Sequence, residues 1–244
     1  MVNKYSFKIK EGIAQLTIKD FKIGNEKKFN KFLKQCFTQI QQEKIDKLLV
    51  DLRGNPGGNP DATNRLLSYF IEQTVYPYKE KFTLVDELPN QENFKKDLAF
   101  KYFHKAKLKK SDSIFIVKKE TKVKVTPNKK RYKGKVVFLI NENCASATTS
   151  FLGQIKTHRP DAYLVGSQAL GNPVIVVASY TVSLNLPNSG ITVKIPLVSS
   201  EKNVSFENPA SGLMPDVVIS LSIEDKLLKR DTWRAKALEI LQKK

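Results

Sequence analysis

Three short stretches of this chain place reactive residue types beside glycine turns. The first is Asp51-Leu52-Arg53-Gly54-Asn55-Pro56-Gly57-Gly58, at the end of an apolar run over residues 47–52. Glycines reach backbone conformations closed to other residues and leave amide N–H groups exposed. Such groups can stabilise a developing oxyanion. No Gly-Lys-Ser/Thr follows, so this is not a phosphate-binding P-loop. Taken alone it is equally an ordinary tight turn. The second stretch is Asn141-Glu142-Asn143-Cys144-Ala145-Ser146-Ala147-Thr148-Thr149, directly after another apolar run. A helix beginning near Ser146 would hold its hydroxyl at the positive end of the dipole. The Ala147 N–H, in the first turn, would lack an intrahelical partner. Nucleophile and oxyanion donor would then stand side by side. The competing role for Ser146 is that of a helix N-cap, which serine favours. Cys144, two residues upstream, is expected to face the core. The third stretch, Ser211-Gly212-Leu213-Met214-Pro215-Asp216, is by itself a turn.

These stretches must be positioned by regular elements. Residues 5–21 alternate apolar and polar side chains around Gly12, which predicts two strands. Phe29, Phe32, Leu33, Cys36, Phe37 and Ile40 form one apolar stripe at helical spacing. Residues 47–52 and 135–141 read as strands covered on both faces. A helix is predicted over 61–73, another from Ser146, and strands over 162–166 and 173–178. A hairpin is predicted over 180–198 around Asn188-Ser189-Gly190, a last short strand over 216–220, and one closing amphipathic helix over 223–242. Residues 74–134 are Lys-rich, aromatic and irregular, with a single strand at 113–118. They read as an inserted lid within a single domain spanning 1–244. Strands alternating with helices indicate an α/β domain built from crossover units.

The chain has 244 residues, 41% hydrophobic and 27% charged, which excludes wholesale disorder and fibrous repeats. No apolar run has the length of a membrane-spanning helix, and residues 1–6 are not of signal-peptide type. Lys+Arg number 42 against 24 Asp+Glu, a formal charge of +18. Only six of the 42 are arginines, at 53, 65, 131, 159, 230 and 234. Nucleic-acid recognition favours the arginine fork, and no nucleic-acid-binding pattern accompanies the lysines, so no nucleic-acid partner is expected. The lysines read mainly as a solvated surface. Cys36 and Cys144 are far apart with no His cluster nearby, which argues against a disulfide scaffold and a metal site.

Together and in this order, the three stretches resemble the serine peptidase family of carboxy-terminal processing (tail-specific) proteases, with its tricorn-like and interphotoreceptor retinoid-binding protein-like members. The resemblance runs over about residues 5–219. It rests on DLRGNPGG, on VVFLINENCASATTSF followed by YLVGSQALGN, and on GLMPD. It implies a ClpP/crotonase-like α/β core and a serine endopeptidase, a hydrolase needing no cofactor. The implied substrate is an extended polypeptide or peptide tail, laid as an added strand beside the glycine loop. Ser146 matches the family's nucleophile and Ala147 the residue whose N–H lines the oxyanion hole. Gly58, with Gly57 next, matches the second oxyanion donor.

One departure is as informative as the match. Processing proteases of this family use a lysine as general base on the loop after the nucleophile's helix. That position is Asn172 here, 26 residues past Ser146. An amide takes no proton at neutral pH, and a serine hydroxyl without a base is a weak nucleophile. Lys156 and His158 would lie roughly 15 and 18 Å along a continuous helix from Ser146, beyond the reach of a base. His104, in the insertion, is the candidate base within the chain. Tricorn-like members take a histidine from a region preceding these strands, and Glu207 loosely matches their supporting acid. The alternative reading is a catalytically inactive peptide- or ligand-binding module on the same scaffold. A crotonase-type acyl-CoA enzyme is a weaker third. An extracytoplasmic location follows if the sequence is a trimmed piece, a cytoplasmic one if it is whole. Oligomeric state is not readable.

Overall fold

The computed structural model describes residues 4–118, 123–206 and 212–243. In chain order its elements are β1 (Tyr5–Lys10), β2 (Ile13–Ile18), α1 (Glu26–Gln42), β3 (Lys47–Asp51), α2 (Pro60–Leu67), β4 (Tyr78–Thr83), α3 (Leu98–Lys105), β5 (Lys107–Ser111), β6 (Ile114–Lys118), β7 (Lys135–Ile140), α4 (Ala147–His158), β8 (Tyr163–Gly166), β9 (Ile175–Asn185), β10 (Thr192–Lys202), β11 (Val217–Val218), α5 (Ile223–Leu227) and α6 (Thr232–Gln242). They divide into two compact units. One comprises residues 1–75, 124–173 and 204–244, the other 76–123 and 174–203.

The first unit is the α/β part. Its sheet runs β1-β2-β3-β7-β8-β11, parallel from β2 to β11 with β1 antiparallel at the edge. The unbroken apolar runs of β3 and β7 are explained by two-sided cover. Leu48, Val50, Val136, Phe138 and Ile140 pack with Phe29, Leu33 and Phe37 of α1, Leu66 of α2 and Phe151 of α4. The alternate residues Leu49, Val137 and Leu139 pack with Ala237, Ile240 and Leu241 of α6. Each such side chain contributes roughly 1.5–3 kcal/mol when buried. Asn25 caps α1, its Oδ1 accepting from the Lys28 N–H at 3.0 Å.

The second unit is an antiparallel sheet, β5-β6-β4-β10-β9, with α3 on it. Its core is Leu88, Phe94, Phe100, Phe103, Val182 and Val198. The Tyr102 ring stacks on Tyr180 with centroids 3.9 Å apart.

Four expectations change. Residues 74–134 are not irregular: they contain β4, α3 and β5 besides the expected β6, and 124–134 return to the first unit. The expected 173–178 strand and the first hairpin strand are one element, β9, and both hairpin strands reach eleven residues by pairing along their length. The helix after the glycine loop ends at Leu67 because the next carbonyls are taken elsewhere, Ser68 by the Asn128 N–H and Tyr69 by the Tyr132 N–H, both at 2.7 Å. The closing helix is broken into α5 and α6. Lys229 turns left-handed at φ 52°, and Asp231 caps a fresh helix by accepting from the Arg234 N–H at 3.0 Å.

Candidate active site

The site is built at the C-terminal ends of β3 and β7. After β3 the chain turns through Arg53 to Gly58. Arg53 is locked by a fork onto Asp51, with Nε–Oδ1 3.0 Å and Nη2–Oδ2 2.8 Å, and by a second onto Asp231, at 2.6 and 2.9 Å. Asn55 is fully buried and ties the loop to its surroundings. Its Nδ2 donates to the Ile18 carbonyl at 3.0 Å. Its Oδ1 accepts from the Gly57 N–H at 3.0 Å and from the Thr148 hydroxyl at 2.9 Å. Its own carbonyl accepts from the Ala145 N–H at 3.2 Å. One amide side chain thus fixes the glycine loop against the start of α4.

The glycines are needed where they stand. Gly57 has φ +99°, and a Cβ there would lie 2.7 Å from the Ala145 carbonyl oxygen, 2.9 Å from the Ala147 nitrogen and 2.9 Å from Ser146 Cβ. Gly58, at φ +140°, would drive a Cβ into the Phe21 carbonyl and the Lys22 nitrogen. The loop is stitched to Phe21, whose N–H donates to the Gly57 carbonyl at 3.0 Å and whose carbonyl accepts from Asn59 at 2.9 Å.

Ser146 occupies the N-cap position of α4 but makes no side-chain capping bond. Its backbone is at φ 55°, ψ −121°, a conformation costly for any residue with a Cβ. The residue is exposed, whereas Ala147 to Ser150 are buried. The sharp strand-to-helix turn therefore presents one hydroxyl outward beside Gly57. Neither the Ala147 N–H nor the Gly58 N–H is donated to a group among the described residues, whereas that of Gly57 is committed to Asn55. Cys144 is buried, its thiol donating to the Leu52 carbonyl at 3.1 Å, and burial pushes its pKa up. That makes it a packing residue rather than a nucleophile.

The loop 166–172 lies against the same helix start. The Leu170 N–H donates to the Cys144 carbonyl at 2.8 Å, and the Thr149 hydroxyl donates to the Leu170 carbonyl at 2.7 Å. Asn172 follows two residues later. Asp216 of the GLMPD stretch accepts from the Leu164 N–H and from Lys156 Nζ, each at 2.8 Å. Lys156 is thus spoken for at the far end of an unbroken α4, with His158 two residues beyond it. Burial lowers the His158 pKa. His104 sits exposed on α3 of the second unit, its ring 4.2 Å from that of Phe100. Glu207 and Ser211 lie outside the described residues.

Gly57, Gly58, Ser146 and Ala147 are therefore assembled within one unit. The roles of Asn55, Thr148 and Thr149 were not anticipated. The only hint was that a buried turn with this many amides needs acceptors from somewhere.

Comparison with known proteins bears on the family and the fold. The model of the family described as Peptidase family S41 matches residues 12–219. The chain belongs to this family of serine peptidases, the one its motifs resemble. Among solved structures, a candidate peptidase from Parabacteroides merdae ATCC 43184 is similar at 19% identity and TM-score 0.62, covering 100% of this chain and 66% of that one. The photosystem II D1 C-terminal processing protease is similar at 15% identity and TM-score 0.53, covering 90% and 49%. Mature CPAF, solved with lactacystin, is similar at 15% identity and TM-score 0.59, covering 94% and 51%. At these identities the likeness is one of fold, and the chain spans about half to two thirds of their lengths. A comparison with curated protein sequences finds no match. No helix among the described residues is long and apolar enough to cross a membrane.

Proposed function

We propose that this chain carries the core of a serine endopeptidase acting on extended polypeptide, with Ser146 as nucleophile. One observation carries the reading: an exposed serine held at φ 55° with no capping bond, against a glycine that admits no Cβ. A serine kept merely as a cap would bond the first-turn amides. In this reading Ser146 Oγ attacks the peptide carbonyl, its proton passes to a base, and the oxyanion takes the N–H groups of Ala147 and Gly58. Gly58 is favoured over Gly57 because the Gly57 N–H already donates to Asn55. The base is His104 or a group outside these 244 residues.

A second reading has one observation behind it. Asn172 stands where the resembled processing proteases carry their lysine, as it would in a binding module that has lost proteolysis. Labelling with a fluorophosphonate probe separates the two. Strong labelling that disappears in Ser146→Ala supports the peptidase. No labelling above the level of that variant supports the binding module.

A further inference from the structure

The strands that hold the candidate site at their C-terminal ends open at their N-terminal ends onto a cleft of about 440 Å³. One wall is the end of α1 and the turn after it, and the other is the segment leading into β7. Lys44, Lys129, Lys130, Arg131 and Lys133 line it, against one carboxylate, Asp46. None of these five cations has an ion-pair partner among the described residues. The Nε of Arg131 is buried without an acceptor among the described residues and, being closed to solvent, lies out of reach of an anion in the cleft, which the lysine ammonium groups would hold instead.

The frame presenting these charges is fixed. The Lys130 N–H donates to Asn128 Oδ1 at 2.9 Å and the Arg131 N–H to the Asn128 carbonyl at 3.0 Å. Asn128 and Tyr132 are themselves bonded to Ser68 and Tyr69. Ile40 and Tyr132 are buried beneath. Cations converging on a concave, pre-ordered surface cost less entropy to engage than scattered side chains. Five of them exceed what one carboxylate would need, and ammonium groups serve phosphate well as point charges.

We propose that this cleft binds a compact anion bearing two or more phosphate groups, either free or as a lipid headgroup. At about 3.3 Å per residue, β3 puts the cleft roughly 17 Å from the candidate site, so the inference does not depend on the peptidase reading.

Calorimetric titration of the full chain with inorganic tripolyphosphate at low salt tests it. One saturable site is expected, weakened roughly tenfold or more in Lys130→Ala/Arg131→Ala as two charge-assisted contacts are lost. Lys109→Ala/Lys110→Ala on β5, with the same change in net charge, is expected to bind like the parent. Sedimentation with phosphatidylcholine vesicles, with and without phosphatidylinositol bisphosphate, separates the sources. Co-sedimentation only with the doped vesicles, displaced by tripolyphosphate, assigns a headgroup. Tripolyphosphate binding without co-sedimentation assigns a soluble ligand. Binding to neither probe, many weak sites without fixed stoichiometry, or an equal loss in the β5 control would overturn the proposal. If the double variant fails to fold by circular dichroism, Lys129→Ala/Lys130→Ala replaces it, and an unchanged affinity there would count against the cleft.

Discussion

Ser146 and Lys202 are among the residues held in states they resist. A left-handed backbone costs an L-residue roughly 1–2 kcal/mol, and glycine avoids that at an entropic cost of about 0.5–1 kcal/mol. Ser146→Gly is therefore expected to raise stability by up to about 1 kcal/mol, a rise of roughly 2–4 °C in Tm, while abolishing fluorophosphonate labelling. A fall in Tm would show that the turn is not strained. Lys202 on β10 is 7% exposed. Burial, with nearby Lys81 adding to it, brings its pKa from the ordinary 10.5 down to about 7. The Tyr78 ring, 3.6 Å from its Nζ, pulls the other way by favouring the charged form; burial is the larger effect. Between about pH 7 and 10.5 the unfolded chain holds a proton that the folded chain does not, so stability rises with pH across that window. Below it both states are protonated and this contribution is flat. Lys202→Met is expected to be more stable at neutral pH and to lose the slope, as read from urea midpoints across the window.

At the scale of elements, the site is a junction of two loops and one helix start, and Asn55 is its fastening. Removing its side chain strands the Gly57 N–H, the Thr148 hydroxyl and the Ile18 carbonyl, all in a buried setting. Asn55→Ala is expected to cost about 2–4 kcal/mol in urea unfolding and to lower the labelling of Ser146. Thr148→Val, which removes one of those bonds, is expected to cost less. Retained labelling in Asn55→Ala would mean that the glycine loop holds itself. Some elements were legible and others were not, for physical reasons. β3 and β7 announce themselves because both their faces are covered, so every position is apolar. β4 reads Tyr-Lys-Glu-Lys-Phe-Thr and β5 is mostly lysine. β4 is made a strand by β6 and β10, distant in the chain, and β5 by its tight hairpin with β6, and neither pairing shows in local composition. Gly57, Gly58 and Ser146 were legible as a motif because their backbone requirements leave few residue choices. Asn55 looked like a turn residue because nothing local reveals that it is buried. Whether Ser146 caps or strains depends on one dihedral angle.

At the scale of the whole molecule, the +18 charge is a standing repulsion rather than a set of ion pairs. Adding sodium chloride up to about physiological strength is expected to raise the Tm, since it screens the repulsion between exposed like charges more than roughly 10 Å apart. A fall would mean that the ion pairs dominate. The course of the chain has a consequence for biosynthesis. The first unit is assembled from three separate stretches of sequence, and α6, in the third, covers Leu49, Val137 and Leu139 and reaches Arg53 through Asp231. While the chain is being made, β3, β7 and the Ser146 turn all emerge before the helix that seals the other side of their sheet. A growing chain therefore carries the Ser146 turn on an unsealed scaffold, and the finished arrangement has to wait for α6 to emerge. In a peptidase that order of events would protect neighbouring nascent chains from premature cleavage.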